Sequence, residues 1–274
     1  MHLVRYTSSE KSPAVGVLAG DRLAPTGYSD MLSFIRGGQQ AIAAARAALA
    51  GGDRVAPERI LAPIPNPGKM LFLGRSFRQF RQDLPEEAVP FVYSRVPSSI
   101  IGPGEAIELP RPDAHVLYEG ELLVVIGREA RGVRAPDAMD HVFGYTQVND
   151  LTWTDWLHGD NAGLPQICLC KNADTFCPMG PSIATADELD PAGLAFTVSV
   201  NGTTKTTGST SDLVWTLPKI LEFLSRDMTL QPGDVIATGT SDAQVIAVGD
   251  EVVVEFEGLG RLANPVIAGW QDAQ

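Results

Sequence analysis

Cysteine is scarce in this chain: there are 3, at positions 168, 170 and 177. An odd, clustered count argues against a disulfide framework. It also falls short of a zinc site, which needs a fourth ligand that only the loosely placed His158 offers, so Cys168, Cys170 and Cys177 read as buried structural thiols. Positive charge is short too. Lys+Arg number 21 against 33 for Asp+Glu, a formal charge of -12, which gives no general attraction to nucleic acid or to an anionic membrane. No apolar run approaches the ~18 residues of a transmembrane helix. The opening MHLVRYTSSEKSPAVGVLAG has no continuous apolar stretch behind a basic start, so the expectation is a cytoplasmic protein. Also absent are GxGxxG after a strand, GxxxxGK[ST] and GxSxG, which leaves nucleotide binding and an α/β-hydrolase serine unsupported. No internal repeat is visible.

What is present fits one large domain with a small one appended: 274 residues, 44% hydrophobic and 20% charged. Two β-like runs, HLVRY and AVGVLAG, precede SDMLSFIRGG and the Ala-rich helix QQAIAAARAALAGG, which a Gly pair ends. The Pro-rich LAPIPNPGK then marks a boundary, giving a small N-terminal α+β domain over 1–64 and a catalytic domain over 65–274. Beyond it come KMLFLG, ELLVVIG, HVFGYTQVND, LAFTVSVNGTT, DVIATGT and EVVVEFEGLG, all strand-like, with turn signals at Asn201-Gly202, Pro232-Gly233-Asp234 and Gly249-Asp250. One helix interrupts them. In TLPKILEFLSRDM, Thr216 can cap, Pro218 sits in the first turn, and Leu217, Ile220, Leu221 and Leu224 form a core-facing stripe. The succession predicts an α+β fold built on a large antiparallel or mixed sheet.

The stretch YEGELLVVIG places Glu119 and Glu121 at the mouth of an apolar strand, on one face because they are two residues apart. Two desolvated carboxylates repel, so a cation or a proton is expected between them. A third acid, Asp150, ends HVFGYTQVND. Three carboxylates make an oxygen-rich site suited to Mg²⁺ or Mn²⁺, with Ca²⁺ also accommodated. Taken alone, a Glu-x-Glu pair reads equally well as a solvated sheet edge.

Around these acids stand PNPGK, PSSIIGPGEAIELP, YEGELLVVIG, VFGYTQVND, KNADTFCPMGP, VNG, LQPGDVIATGT and EGLGRLAN. In this order they closely resemble the fumarylacetoacetate hydrolase (FAH) family, from Pro65 to the C-terminus. The resemblance implies an FAH-type mixed β-sheet or β-roll catalytic domain, usually a homodimer, in which Glu119, Glu121 and Asp150 hold a divalent metal. By position it makes Lys171 a catalytic residue and Thr240 a substrate contact, both at the oxo-acid end. Family substrates are 2-oxo acids or 1,3-dicarbonyl compounds, whose carboxylate and carbonyl chelate the metal. The resulting enolate serves C–C hydrolysis, decarboxylation, isomerisation or dehydration.

The pattern is broken at GRSFRQFRQD. Where the family has G-x-N-Y-x-x-H-x-x-E, with the His and Glu activating water from a lid, this chain has Ser76, Phe77, Phe80 and Asp83 in place of Asn, Tyr, His and Glu. A phenyl ring cannot transfer protons, so Asp83 is the catalytic acid left to the lid. Thr154 and Leu157 likewise replace an Arg and a Gln, and TGTSDAQV replaces TGTP-x-GVG. Arg75, Arg78 and Arg81 recur every third residue; on a helix they share a face that either grips a second acid group or is simply solvated. Phe77 and Phe80 can close an apolar lid over substrate, and His115 and His158 are candidate replacement bases. The leading expectation is a metal-dependent hydrolase cleaving a C–C bond in an acylpyruvate-like oxo acid. A lyase of the oxaloacetate decarboxylase or sugar-acid dehydratase kind is the alternative, and a non-catalytic binder of metal and metabolite the third reading.

Overall fold

The run Gly120–Ile126 is buried at all 7 positions, and a strand without a solvent face must be covered on both sides. Leu122, Val124 and Ile126 enter one hydrophobic core, while Leu123 and Val125 enter another. The alternation is that of a strand, and each fully buried aliphatic side chain contributes roughly 1.5–3 kcal/mol. The computed structural model describes residues 1–9, 12–83, 85, 88–111, 113–158 and 164–269, with 81–83 and 158 as backbone only.

This strand lies within a 10-stranded sheet. It pairs antiparallel with Val142–Asn149 on one side and with Val235–Ala237 on the other. Val235–Ala237 runs parallel to Met70–Gly74, which pairs with Phe91–Ser94 at the sheet edge. On the far side Val142–Asn149 meets Ile183–Thr185, which meets His2–Thr7, followed by Ala14–Ala19 and Arg22–Pro25. A second, 5-stranded sheet runs Thr203–Ser209, Ala195–Val200, Glu251–Phe256, Gly260–Ala268, Ile107–Leu109. Its Phe196, Val198, Val254 and Leu262 share the first core with Leu122 and Val124. The fold is thus the mixed-sheet α+β architecture expected. No helix among the described residues is long and apolar enough to cross a membrane.

Residues 1–64, expected as a small unit, add their strands to the large sheet through the pairing Leu3↔Ile183. Met31, Phe34 and Ile35 of the helix Met31–Arg36 pack in the same core as Phe72, Leu123 and Val125. Asp30 caps that helix, accepting from Ser33 N at 2.7 Å. The helix Leu217–Asp227 buries the expected stripe of Leu217, Ile220, Leu221 and Leu224, but Thr216 at its N-cap makes no side-chain cap bond. Cys170 and Cys177 are buried as expected; Cys168 is exposed. The arginine ladder does not form: Arg75 adopts a left-handed φ of 56°, outside the 3-10 helix Arg78–Asp83, so the three arginines do not lie along one helix.

At Gly144 the strand Val142–Asn149 lies close against Ile183–Thr185. A Cβ there would lie 2.1 Å from the carbonyl oxygen of Ala184, which is backbone and cannot step aside. Gly144→Ala is therefore expected to destabilise the protein by about 1–3 kcal/mol, read as a lower urea midpoint; an unchanged midpoint would show that the strand pair is not held at this spacing.

Candidate active site

The two glutamates owe their convergence to the residue between them. A Cβ at position 120 would meet Val198 Cγ2 at 2.6 Å, so only glycine lets this face of the strand lie against the second sheet while Glu119 and Glu121 turn to the other face. Asp150 follows directly on the partner strand: its N–H donates to Glu119 O at 2.8 Å, and Glu119 N–H donates to Asn149 Oδ1 at 2.9 Å. Ligand oxygens of Glu119, Glu121 and Asp150 all lie within 4.8 Å of one another.

The cation sought between them is Lys171, at the end of the short helix Ile167–Lys171. Its Nζ donates to Glu119 Oε2 at 2.9 Å, to the Asp150 main-chain oxygen at 3.2 Å, and also to Asp150 Oδ2. It lies 5.1 Å from the Tyr93 ring centroid, a cation–π distance. A second cation, Arg95, donates from Nη1 to Asp150 Oδ1 at 2.6 Å. Tyr93 donates its hydroxyl proton to Asp150 Oδ2. Thr152 Oγ1 donates to Glu119 Oε1 at 2.7 Å, and Gly239 N–H donates to Glu121 Oε2 at 2.7 Å.

Charge follows from this wiring. Burial pushes Glu121 well above the ordinary carboxylate range, and repulsion from Asp150 and Glu119 adds to it. Burial also raises Glu119, against the pull of Lys171. Burial opposes ionisation of Asp150 as well, yet Lys171 and Arg95 together hold it below its ordinary value. Tyr93 is driven far up by burial and by the surrounding carboxylates, so its phenol keeps its proton. Glu121 Oε1 is buried with no hydrogen-bond partner. An orphaned carboxylate oxygen beside two further carboxylates is what a hard divalent cation fills, so Glu119, Glu121 and Asp150 fit such an ion.

These groups floor a cavity of about 420 Å³. Of the residues expected to touch substrate, Arg75, Phe80 and Thr240 line it, as does Leu157. Thr240 Oγ1 donates to Asp242 O at 3.0 Å. Phe77 is elsewhere: it is 1% exposed and meets Phe196 edge-on at 6.0 Å in the core, because the left-handed turn at Arg75 swings it inward. Arg78 lines a separate cavity. The side chains of Arg81 and Asp83 lie outside the described residues. His115 bonds Asp155 at 3.0 Å on the surface. The side chain of His158 lies outside the described residues. Tyr93, Arg95 and Thr152 were not anticipated. The one available signal was FVYSR, in which Phe91, Tyr93 and Arg95 alternate onto one face of an otherwise apolar strand end.

An α+β fold of mixed sheets carrying a buried, lysine-bridged carboxylate triad defines a class of enzyme scaffold suited to a hard cation. The family profile described as fumarylacetoacetate (FAA) hydrolase, C-terminal, matches residues 72–267, and the chain belongs to that family. It is 32% identical over 290 residues to oxaloacetate tautomerase fahd2, mitochondrial, of Xenopus laevis, covering 97% of this chain and 90% of the relative. To oxaloacetate tautomerase FAHD2A, mitochondrial, of Homo sapiens it is 35% identical over 281 residues, covering 97% and 89%. Among solved structures, maleylpyruvate hydrolase from Sphingobium sp. SYK-6 in complex with manganese (II) ion and pyruvate superposes with a TM-score of 0.84 at 30% identity, covering 98% of this chain and 100% of that one. A 5-carboxymethyl-2-hydroxymuconate delta-isomerase from Mycobacterium smegmatis gives 0.81 at 32% identity, covering 99% and 100%.

Two outcomes are expected from the site's electrostatics. Arg95→Met leaves the Asp150 carboxylate short of its buried partner and should cost about 3–5 kcal/mol in urea unfolding; a loss under about 1 kcal/mol would mean that Lys171 alone suffices. Because Glu121 has a raised value in the folded state, its contribution to stability is present below the ordinary carboxylate range and is lost as pH rises through the raised value. In chelator, the melting temperature of the wild type should therefore fall with rising pH more steeply than that of Glu121→Gln. Equal slopes would refute the assignment.

Proposed function

We propose that this protein is a divalent-metal-dependent enzyme that relocates a proton on a 2-oxo acid by way of its enolate, a keto–enol isomerase acting on substrates of the oxaloacetate kind. The observation that carries this reading is the placement of Lys171 Nζ, 2.9 Å from Glu119 and bonded to Asp150, in a cavity whose wall includes Phe80. When bound by Glu119, Glu121 and Asp150, a divalent cation supplies a Lewis acid that polarises the carbonyl of a chelating oxo acid. Lys171 keeps its charge, since Asp150 and Glu119 outweigh the cost of burying it, and it sets a fixed positive charge where enolate oxygen charge develops. The Tyr93 hydroxyl, which stays protonated, donates to Asp150 Oδ2 and so fixes that carboxylate at the same floor. Phe80 and Phe91 make an apolar wall that does not activate water. Enolisation needs no activated water; hydrolysis does. The two mitochondrial oxaloacetate tautomerases among the relatives support proton transfer.

The second reading, C–C hydrolysis, is favoured by the full-length likeness to maleylpyruvate hydrolase. The two separate on product analysis with Mg²⁺ or Mn²⁺ restored to metal-stripped protein. The expected result is accelerated interconversion of enol and keto oxaloacetate without cleavage of acylpyruvates, lost by about 10²-fold or more in Lys171→Met and abolished in Glu119→Ala. Stoichiometric pyruvate released from acylpyruvates would establish the hydrolase, release of carbon dioxide a decarboxylase, and tight oxalate binding without turnover a non-catalytic binder.

A further inference from the structure

The carboxylate cavity is smaller than another on the same molecule. The second holds about 960 Å³, against roughly 300–1,000 Å³ for small-molecule pockets in general. The two meet at the 3-10 turn of the broken lid, where Arg78 lines one and Phe80 the other. The root of that turn is tied to the second cavity's wall: Val214 N–H donates to Ser76 O at 2.7 Å, and Phe77 bridges to Leu213, a lining residue.

Hydrocarbon from Met139, Leu189, Leu213 and Leu217 covers much of this second cavity. One polar group in the wall offers a donor to this cavity. Tyr145 is 1% exposed and lines the cavity, and its hydroxyl is not among the fully enclosed, unmatched polar atoms of the described residues, so it opens on the cavity. Burial and then the Asp190 carboxylate push its pKa up to about 12, so it stands ready as a donor. Thr216, at the start of the helix Leu217–Asp227, faces the same cavity and makes no cap bond.

Charge narrows the choice of occupant. Asp187, Glu188 and Asp190 stand around the cavity, with Arg78 the only cationic side chain among the described residues that line it. Asp187 is paired with Arg46 and Glu188 with the N-terminal amine. Asp190 has no cationic partner among the described residues, and it is the acid that acts on Tyr145. An anion would meet Asp190 at the very donor it needs, whereas a neutral carbonyl or ether oxygen would not. We propose that this cavity is a second ligand site, separate from the carboxylate centre, for an uncharged, mostly hydrocarbon small molecule with one hydrogen-bond acceptor directed at the Tyr145 hydroxyl.

The test uses the full chain and the neutral fluorophore prodan, whose ketone is the acceptor. Saturable, blue-shifted binding is expected, weakened about tenfold by Tyr145→Phe, which removes one hydrogen bond and no volume. Leu189→Trp, which fills the cavity, should abolish it, and Phe80→Trp in the carboxylate cavity should leave it unchanged. Circular dichroism verifies that each variant is folded. Anilinonaphthalene sulfonate, a related ring system with a fixed negative charge, should bind at least about tenfold more weakly. The proposal is overturned by absence of prodan binding, by equal affinity in wild type and Tyr145→Phe, by equal or tighter binding of the sulfonate, or by weakening in Phe80→Trp, which would place the dye among the carboxylates. Loss of dye as protein concentration rises, with a dimer in native mass spectrometry, would show that a second copy occupies the face and would equally overturn it.

Discussion

The ion pair between Arg95 and Asp150 carries the rest of the site. Both side chains are fully buried, where an unmatched charge costs several kcal/mol and only close, well-bonded partners recover it. Arg95 goes beyond that one carboxylate. It also donates to the main-chain oxygens of Phe176 at 3.0 Å, Leu151 at 3.2 Å and Lys171. One guanidinium thereby ties the end of the edge strand Phe91–Ser94 to the aspartate, to the segment that follows it, and to the helix that delivers the lysine. The planar fork suits this task; a lysine could not reach four acceptors in those directions.

From there the geometry propagates through strand alternation. Glu119 and Glu121 take the same parity as Leu123 and Val125, so the face that is acidic at its mouth becomes apolar two residues deeper. The opposite parity begins with Gly120, whose missing side chain makes room for Val198. The acids are therefore pinned by packing rather than by their own attractions. Their mutual repulsion is borne by a strand whose other residues are buried on both faces.

Much of this was legible in the amino acids themselves. An apolar run headed by paired glutamates, and a strand closed by Asn149-Asp150, specify both strands and the convergence of three acids. A lysine in KNADTF follows by family likeness alone. What escaped is what depends on pairing rather than on local pattern. Arg95 and Tyr93 are single residues at a strand end, with no period to announce them. Phe77 and Phe80 look alike in sequence, and only the left-handed backbone at Arg75 sends one to the core and the other to the cavity. The same turn dissolves an arginine ladder that assumed a continuous helix. Likewise, nothing in HLVRY shows that it extends the large sheet, because that depends on Gly144 letting a strand from residues 183–185 approach.

Charge balance then connects the frame to the substrate class on the proposed reading. With all groups ionised, the carboxylates of Glu119, Glu121 and Asp150 exceed the cations Lys171 and Arg95 by one negative charge, and burial, with Asp150 and Glu119 beside it, pushes Glu121 upward against ionisation. Adding a doubly charged cation reverses the sign, leaving an excess of one positive charge with Glu121 ionised. A single carboxylate on the ligand cancels that excess, so a monoanionic chelating end fits the floor without leaving charge stranded in a low-dielectric site. The second acid group of a dianion must be met elsewhere in the cavity, whose lining includes Arg75 and Asp242. On that reading, selectivity between one acid group and two falls to lining residues such as Arg75, while the floor requires only that one be present.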